Sequence, residues 1–276
     1  MKKLIVILLA LTLVAMSIFG LAACNKDVIV VYTEAGFAPF EYISNGKIVG
    51  VDVEIMELVG KKLGKTVHIE NTDFDKIIDI VAKGELGNVG AAGISITDER
   101  KEKVDFSNEY YTAKLYVIYK VSDAQSYESD TTDGVKGVYW DSLAGKKIAI
   151  QGGTTADLFL GDELDEGGTL YDTNAEAVTC TALSTAVANV KSGHANVVVI
   201  DELPAKELIK NEPTLKCAPL YWQGGEGEAD EAAEDLYAIC VTKGQDELLK
   251  AINEVLAELG KEGIQALVNK HLGLAD

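Results

Sequence analysis

Along the chain, short apolar runs alternate with stretches in which apolar residues recur every three or four positions. The apolar runs predict strands over 28–33, 67–70, 88–91, 115–119, 147–150, 196–200 and 236–241. The longer period predicts helices over 51–63, 75–83, 155–160, 177–191 and 203–209, with 246–259 and 263–272 making a helical C-terminus. The strand-then-helix pattern occurs twice, which argues for an α/β protein. Two polar tracts interrupt it. Residues 121–138 shift to Ser, Asp, Thr and Gly and are expected to form a surface loop or an edge elaboration of the second unit. Residues 224–235 are acidic and glycine-bearing. Because they lack the alternating Asp/Asn ligands and closing Glu of a calcium loop, a solvated loop is expected there.

The first residues follow a different logic. Lys2 and Lys3 precede an apolar run over 4–19, which leads to "LAAC" at 21–24. That run is shorter than the roughly 20 residues that span a bilayer and ends on small residues, so it predicts a secretory signal. The segment resembles the bacterial lipoprotein signal. That resemblance implies a signal over 1–23, cleavage before Cys24, and lipidation of Cys24, with an ordinary secretory signal as the alternative. Several acyl chains anchor stably where one does not. The remainder is then expected to be a soluble domain tethered to the cell membrane on its extracytoplasmic face. Cleavage of 23 of the 276 residues leaves 253, enough for one large or two modest domains. It also removes Lys2 and Lys3, taking the net charge from −19 to −21. Such a surface repels nucleic acid and anionic lipid. Cys180, Cys217 and Cys240 have no metal-like spacing and are expected as three buried thiols, a Cys180–Cys217 disulfide being the alternative.

Catalytic signatures are missing from the chain. Its histidines are His68, His194 and His271, with no HExxH, no clustered Cys/His and no GxSxG elbow. "QGGTTAD" from Gln151 lacks the lysine of a phosphate loop. No metal or cofactor is expected. "GISITDER", by contrast, places Arg100 in the first turn of a predicted helix, where a cation is disfavoured unless an anion meets it. "QGGTTAD" follows a predicted strand and opens a helix whose free N–H groups suit an anion, although a plain glycine turn capped by Thr154 or Thr155 fits equally. Asp201 ends the apolar run "NVVVID", either at a ligand-facing strand end or as the cap of the next helix. Together, Arg100 and the Thr155 amide could hold a carboxylate, while Asp201, Ser95 and the Gly93 carbonyl could accept from an ammonium group. Those are the two charges of a free α-amino acid.

The arrangement resembles the polar amino-acid-binding proteins of bacterial ABC importers, the family 3 solute-binding proteins. The likeness is carried by "FAPFEY" from Phe37, "GKIVGVDVEIMELVGKKLG" from Gly46, "FDKII" from Phe74, "GISITDERKEKVDFSNEYY" from Gly93, "QGGTTAD" from Gln151 and "VVVIDE" from Val197. It implies a two-lobed, periplasmic-binding-protein type II fold, a Venus flytrap with two hinge strands. Lobe one would take 24–109 plus 238–276 and lobe two, inserted, 114–235. By the same resemblance Arg100 binds the ligand carboxylate and Thr155 donates to it from the second lobe. Ser95, Gly93 and Asp201 meet the ammonium group, Phe37 and Phe74 sandwich the aliphatic portion, and Glu34 faces the ligand side chain. Phe40 is left in the core. The implied partners are an amino acid and the permease subunits of an ABC transporter, with the protein itself a monomer and not an enzyme. An arogenate (cyclohexadienyl) dehydratase-like enzyme on the same scaffold is the alternative, with Glu34 or Asp201 as its acid or base. A sensory module is a third reading, disfavoured because no signalling segment follows in the chain. The longer 122–138 segment and the unusual composition of "YDTNAEAVTCTALSTAVANVKSGHAN" before the Asp201 strand depart from the family pattern, and both bear on the second lobe and not on Arg100.

Overall fold

In the computed structural model, which describes residues 28–84 and 89–273, the strand Val28–Thr33 alternates half-buried and buried positions. Ile29 and Val31 therefore face one layer of helices while Tyr32 faces another. Seven helices are present among these residues: α1 (Val51–Leu63), α2 (Phe74–Lys83), α3 (Asp98–Lys103), α4 (Thr155–Leu164), α5 (Leu183–Ser192), α6 (Glu202–Ile209) and α7 (Asp246–His271). Residues 1–23 and Cys24 lie outside the described residues. Among the described residues no helix is long and apolar enough to cross a membrane.

Val28–Thr33 lies in a five-stranded sheet, in the order Thr66–Asn71, Val28–Thr33, Val89–Gly90, Cys240–Thr242, Val104–Phe106. The first three run parallel, and Cys240–Thr242 is antiparallel to both its neighbours. Ile55, Met56 and Val59 of α1 and Ile252 and Val255 of α7 bury one face with Ile29 and Val31. Ile77 and Val81 of α2 bury the other with Ile94 and Val104. At roughly 25 cal/mol per Å² of apolar surface removed from water, these faces drive the local fold.

The second sheet runs Glu176–Cys180, Lys147–Gln151, Val197–Asp201, Tyr111–Lys120, Leu215–Trp222, Lys136–Tyr139, Glu128–Asp130. Val197–Asp201 is buried along its whole length, as a strand covered on both faces must be. Every strand of this sheet falls between Val104–Phe106 and Cys240–Thr242 of the first sheet, so the second lobe is inserted into the first. The chain crosses between lobes twice, and the crossings pair antiparallel from Tyr111↔Tyr237 to Lys114↔Glu234. The fold is thus α/β and two-lobed, with Cys180, Cys217 and Cys240 all free thiols.

Several expectations need correction. Residues 177–191 are not one helix: Glu176–Cys180 is an edge strand parallel to Lys147–Gln151, and the helix begins only at Leu183. Pairing along a sheet edge has overridden the local helical period there. The run 236–241 divides between Glu234–Tyr237 in the crossing and Cys240–Thr242 in the first sheet. Leu215–Trp222 escapes the apolar pattern because of Pro219, which lacks an N–H. Pro219 sits where this strand changes neighbours, from Tyr111–Lys120 to Lys136–Tyr139. Residues 121–138 take the second of their two expected forms, an edge elaboration: a 3₁₀ turn over Val121–Ser126 followed by strands Glu128–Asp130 and Lys136–Tyr139. The tract 224–235 is not all solvated loop, since its last residue, Asp235, is only 4% exposed. Gly260, with φ 57° and ψ −176°, breaks α7 in the interval between the two expected C-terminal helices.

Candidate ligand-binding cleft

Thr97 answers part of the question raised by an arginine in a helix's first turn: its side chain caps α3 by accepting the Arg100 N–H at 3.2 Å. The Arg100 side chain leaves the helix altogether. Its Nη1 donates to the Ser95 carbonyl at 2.6 Å and its Nη2 to the Gly153 carbonyl of the other lobe at 2.8 Å. The guanidinium also lies 5.7 Å from the centre of the Phe74 ring, which opens α2. Burial lowers its pKa, but a guanidinium stays charged.

The second lobe answers from the turn after Lys147–Gln151. Gly153 takes φ 76°, a conformation that favours glycine, and a Cβ there would lie 3.1 Å from Asp75 of α2. Thr154, not Thr155, caps α4 by accepting from the Asp157 N–H. Thr155 is therefore free to face the cleft, where its hydroxyl donates to the Asp235 carboxylate and lies 3.4 Å from Ser95 Oγ. Asp201 holds the cap position of α6 but does not cap it, and its Oδ1 is buried without a hydrogen-bond partner.

These groups surround one cavity of about 20 Å³, lined by Glu34, Phe37, Phe74, Gly93, Ser95, Gln151, Thr154, Thr155 and Asp201. Seven of the eight candidate residues thus share one cavity, and Arg100 stands beside it, bonded to the Ser95 carbonyl. That volume accommodates about one water molecule. Gly93, at φ 55°, brings the backbone against Phe37, and a Cβ would lie 2.7 Å from that ring. Phe40 is fully buried behind, edge-on to Tyr237. A wider depression of about 620 Å³ opens on the second lobe, but its acids Asp133 and Asp230 already accept from Tyr221 and Tyr139.

Acids dominate the electrostatics. Burial raises the pKa of Glu34, against the opposing pull of Gln151 and the Gly36 N–H. Burial and the neighbouring Asp235 push Asp201 up to about 8. Asp235 is raised by burial too, with Thr155 and Arg100 opposing. Behind this layer, Asp52 accepts from Gly93 N–H at 2.9 Å and from the Tyr110 hydroxyl at 2.5 Å, and burial moves it to about 6. Glu41, beside it, is fully buried, and its pKa is raised well above the usual range by that burial. Asp235, Gln151, Asp52 and Glu41 are cleft residues that the sequence did not single out. Gln151, Glu41 and Asp52 lie inside quoted motifs, whereas Asp235 carried no signal except the apolar run that begins after it.

A closed cleft between two α/β lobes, one inserted into the other, with one buried guanidinium and several poorly partnered carboxyls, defines a two-lobed binding protein for a small charged molecule. The chain belongs to the bacterial extracellular solute-binding proteins, family 3, which it matches over residues 29–274. It is 30% identical to a probable histidine-binding protein of Campylobacter jejuni over 196 residues, 71% of this chain and 68% of that one. It is 27% identical to the arginine-binding extracellular protein ArtP of Bacillus subtilis, covering 95% of this chain and 94% of that one. Among solved structures, the amino acid ABC transporter substrate-binding protein AbpA of Streptococcus pneumoniae, bound to L-arginine, superposes with a TM-score of 0.76 at 28% identity, covering 90% of this chain and 96% of that one. These relatives are named for binding, and the dehydratase alternative gains no support from them.

Proposed function

We propose that this protein is the lipid-anchored, extracytoplasmic receptor of an amino-acid ABC importer, and that it binds a free α-amino acid with a cationic or polar side chain between its lobes and hands it to a membrane permease. The supporting observation is a single buried guanidinium standing beside an interlobe cavity that Asp201 lines, with Asp201 Oδ1 buried and unpartnered. Arg100 takes the ligand carboxylate, joined by the Thr155 amide. Asp201, Ser95 and the Gly93 carbonyl take the ammonium group. Phe37 and Phe74 wall the aliphatic part, and Glu34 reads the far end of the side chain, where a cationic or polar group gives its buried carboxyl a partner. Three cleft carboxyls against one guanidinium favour a ligand that brings net positive charge.

Lobe one is assigned 24–109 plus 238–276 and lobe two 114–235, hinged on the paired crossings. Since the cavity holds only about one water, the lobes must part to admit an amino acid, and ligand contacts then replace the Arg100–Gly153 bond. A switch from mostly open to mostly closed needs about 5.5 kcal/mol of differential binding. Charge-assisted hydrogen bonds at about 1.5–3 kcal/mol each supply it with two to four second-lobe contacts. Binding of this kind needs neither nucleotide nor metal in this chain, and the protein acts as a monomer and not as an enzyme. The test is calorimetry against the twenty amino acids and ornithine. At least one basic or polar amino acid is expected to bind, and Arg100→Ala is expected to abolish that binding while the variant still melts cooperatively. Near-wild-type affinity in Arg100→Ala would refute the assignment.

A further inference from the structure

Asp235 belongs to the crossing strand Glu234–Tyr237, in register with Ala113 of the other crossing, so it sits at the hinge and not on the wall of either lobe. It is 4% exposed, and Asp201 is 9% exposed. The nearest cation cannot neutralise them both. Arg100 spends its side-chain hydrogen bonds on the carbonyls of Ser95 and Gly153 and makes none to a carboxylate. Asp235 is met by the hydroxyls of Thr155 and Ser95, neither of which carries charge, and Asp201 Oδ1 accepts no hydrogen bond. The other titratable groups facing the pair are acids or phenols: Tyr237 and Tyr111 beside Asp201, Glu41 behind it, and Glu34 across the cavity. Two buried carboxyls without a dedicated counter-charge do not both stay ionised.

We propose that Asp235 is a ligand-reading acid of the cleft which, paired with Asp201, holds one proton until a ligand's ammonium or guanidinium group arrives, and then releases that proton to solvent. The inference rests on the amino-acid-binding reading and adds to it a residue, a stoichiometry and a pH dependence. The ligand keeps its own protons, and the displaced one goes to the buffer. Burial raises both acids, and the neighbouring Asp235 raises Asp201 further, which sets the pH range concerned. Where the pair is protonated, apparent affinity rises with pH by up to about tenfold per unit, and it levels off once the pair is ionised without ligand.

The experiment is calorimetric titration with L-arginine near neutral pH in phosphate and in Tris, whose ionisation heats differ. The difference in apparent enthalpy should correspond to release of about one proton per ligand in the wild type, and to almost none in Asp235→Asn or in Asp201→Asn. Equal enthalpies in both buffers, or undiminished release in Asp235→Asn, would overturn the inference while leaving the function intact. If no amino acid binds at all, the proposed function fails instead. Carboxyl-carbon NMR of the protein alone then decides the pair. An aspartate titrating far above the usual range, shifted down in Asp235→Asn and in Asp201→Asn, supports it, and its absence from the wild type overturns it.

Discussion

Glu41 shows most directly what a single residue contributes here. It follows Phe40 in "FAPFEY", is fully buried, and faces the Asp52 carboxyl. A carboxyl so placed holds its proton in the folded state and loses it in the unfolded one once pH exceeds about 4.3. The folded form then binds more protons, so stability present below that pH is lost as pH rises toward the folded value. Asp52, moved to about 6, and Asp201, at about 8, act in the same sense. The melting temperature of the ligand-free protein is therefore expected to fall between about pH 5 and pH 8. Glu41→Gln, which needs no proton, should melt at or above wild type at the upper end of that range. Thermal melts of both proteins check this, and a variant less stable than wild type at the higher pH would count against it.

At the level of one element, α4 and the turn before it place the second lobe's contribution. Thr154 caps, Gly153 turns, and Thr155 is left to face Asp235 and Ser95. Two glycines of this unit should respond oppositely to alanine. Gly153→Ala forces φ 76° on a residue with a Cβ that meets Asp75 at 3.1 Å. It should cost on the order of 1–3 kcal/mol and weaken amino-acid binding. Gly161, inside α4, has room for a methyl group, since a Cβ there would meet nothing within 4 Å. Gly161→Ala should stabilise by about 0.5–1 kcal/mol and leave affinity unchanged. Denaturant unfolding and calorimetry on the two variants separate these outcomes. The helices α1, α2 and α6 were legible within a residue because their apolar stripes and ends coincide. Glu176–Cys180 was not, since half-exposed "EAVTC" acquires its strand identity from Lys147–Gln151 beside it.

For the whole molecule, the two paired crossings link the lobes covalently, and polar contacts span the cleft beside the packing of strand Gly36–Phe37 against α5. Arg100 to Gly153 and Ser95 against Thr155 join lobe to lobe, with Asp235 at the hinge between them. Such contacts are weak enough to open and directional enough to close in one way. In solution X-ray scattering, saturating ligand is expected to reduce the radius of gyration of the wild type. Arg100→Ala should not contract under the same conditions. An unchanged radius in the wild type at saturation would argue against ligand-driven closure.

The sequence by itself determined the alternation of elements, the inserted two-lobed plan through its motifs, and a set of polar residues too specific to be accidental. These are local properties: a helical stripe, an apolar run and a capped turn each depend on neighbours in the chain. Only the tertiary structure decided that Glu34, Ser95, Thr155 and Asp201 share one cavity beside Arg100. It also turned Asp235, the end of an acidic tract, into a buried group of the cleft. Burial and proximity across 80 residues of chain, as between Thr155 and Asp235, set the charge state of such a group, and no pattern of adjacent residues encodes that distance.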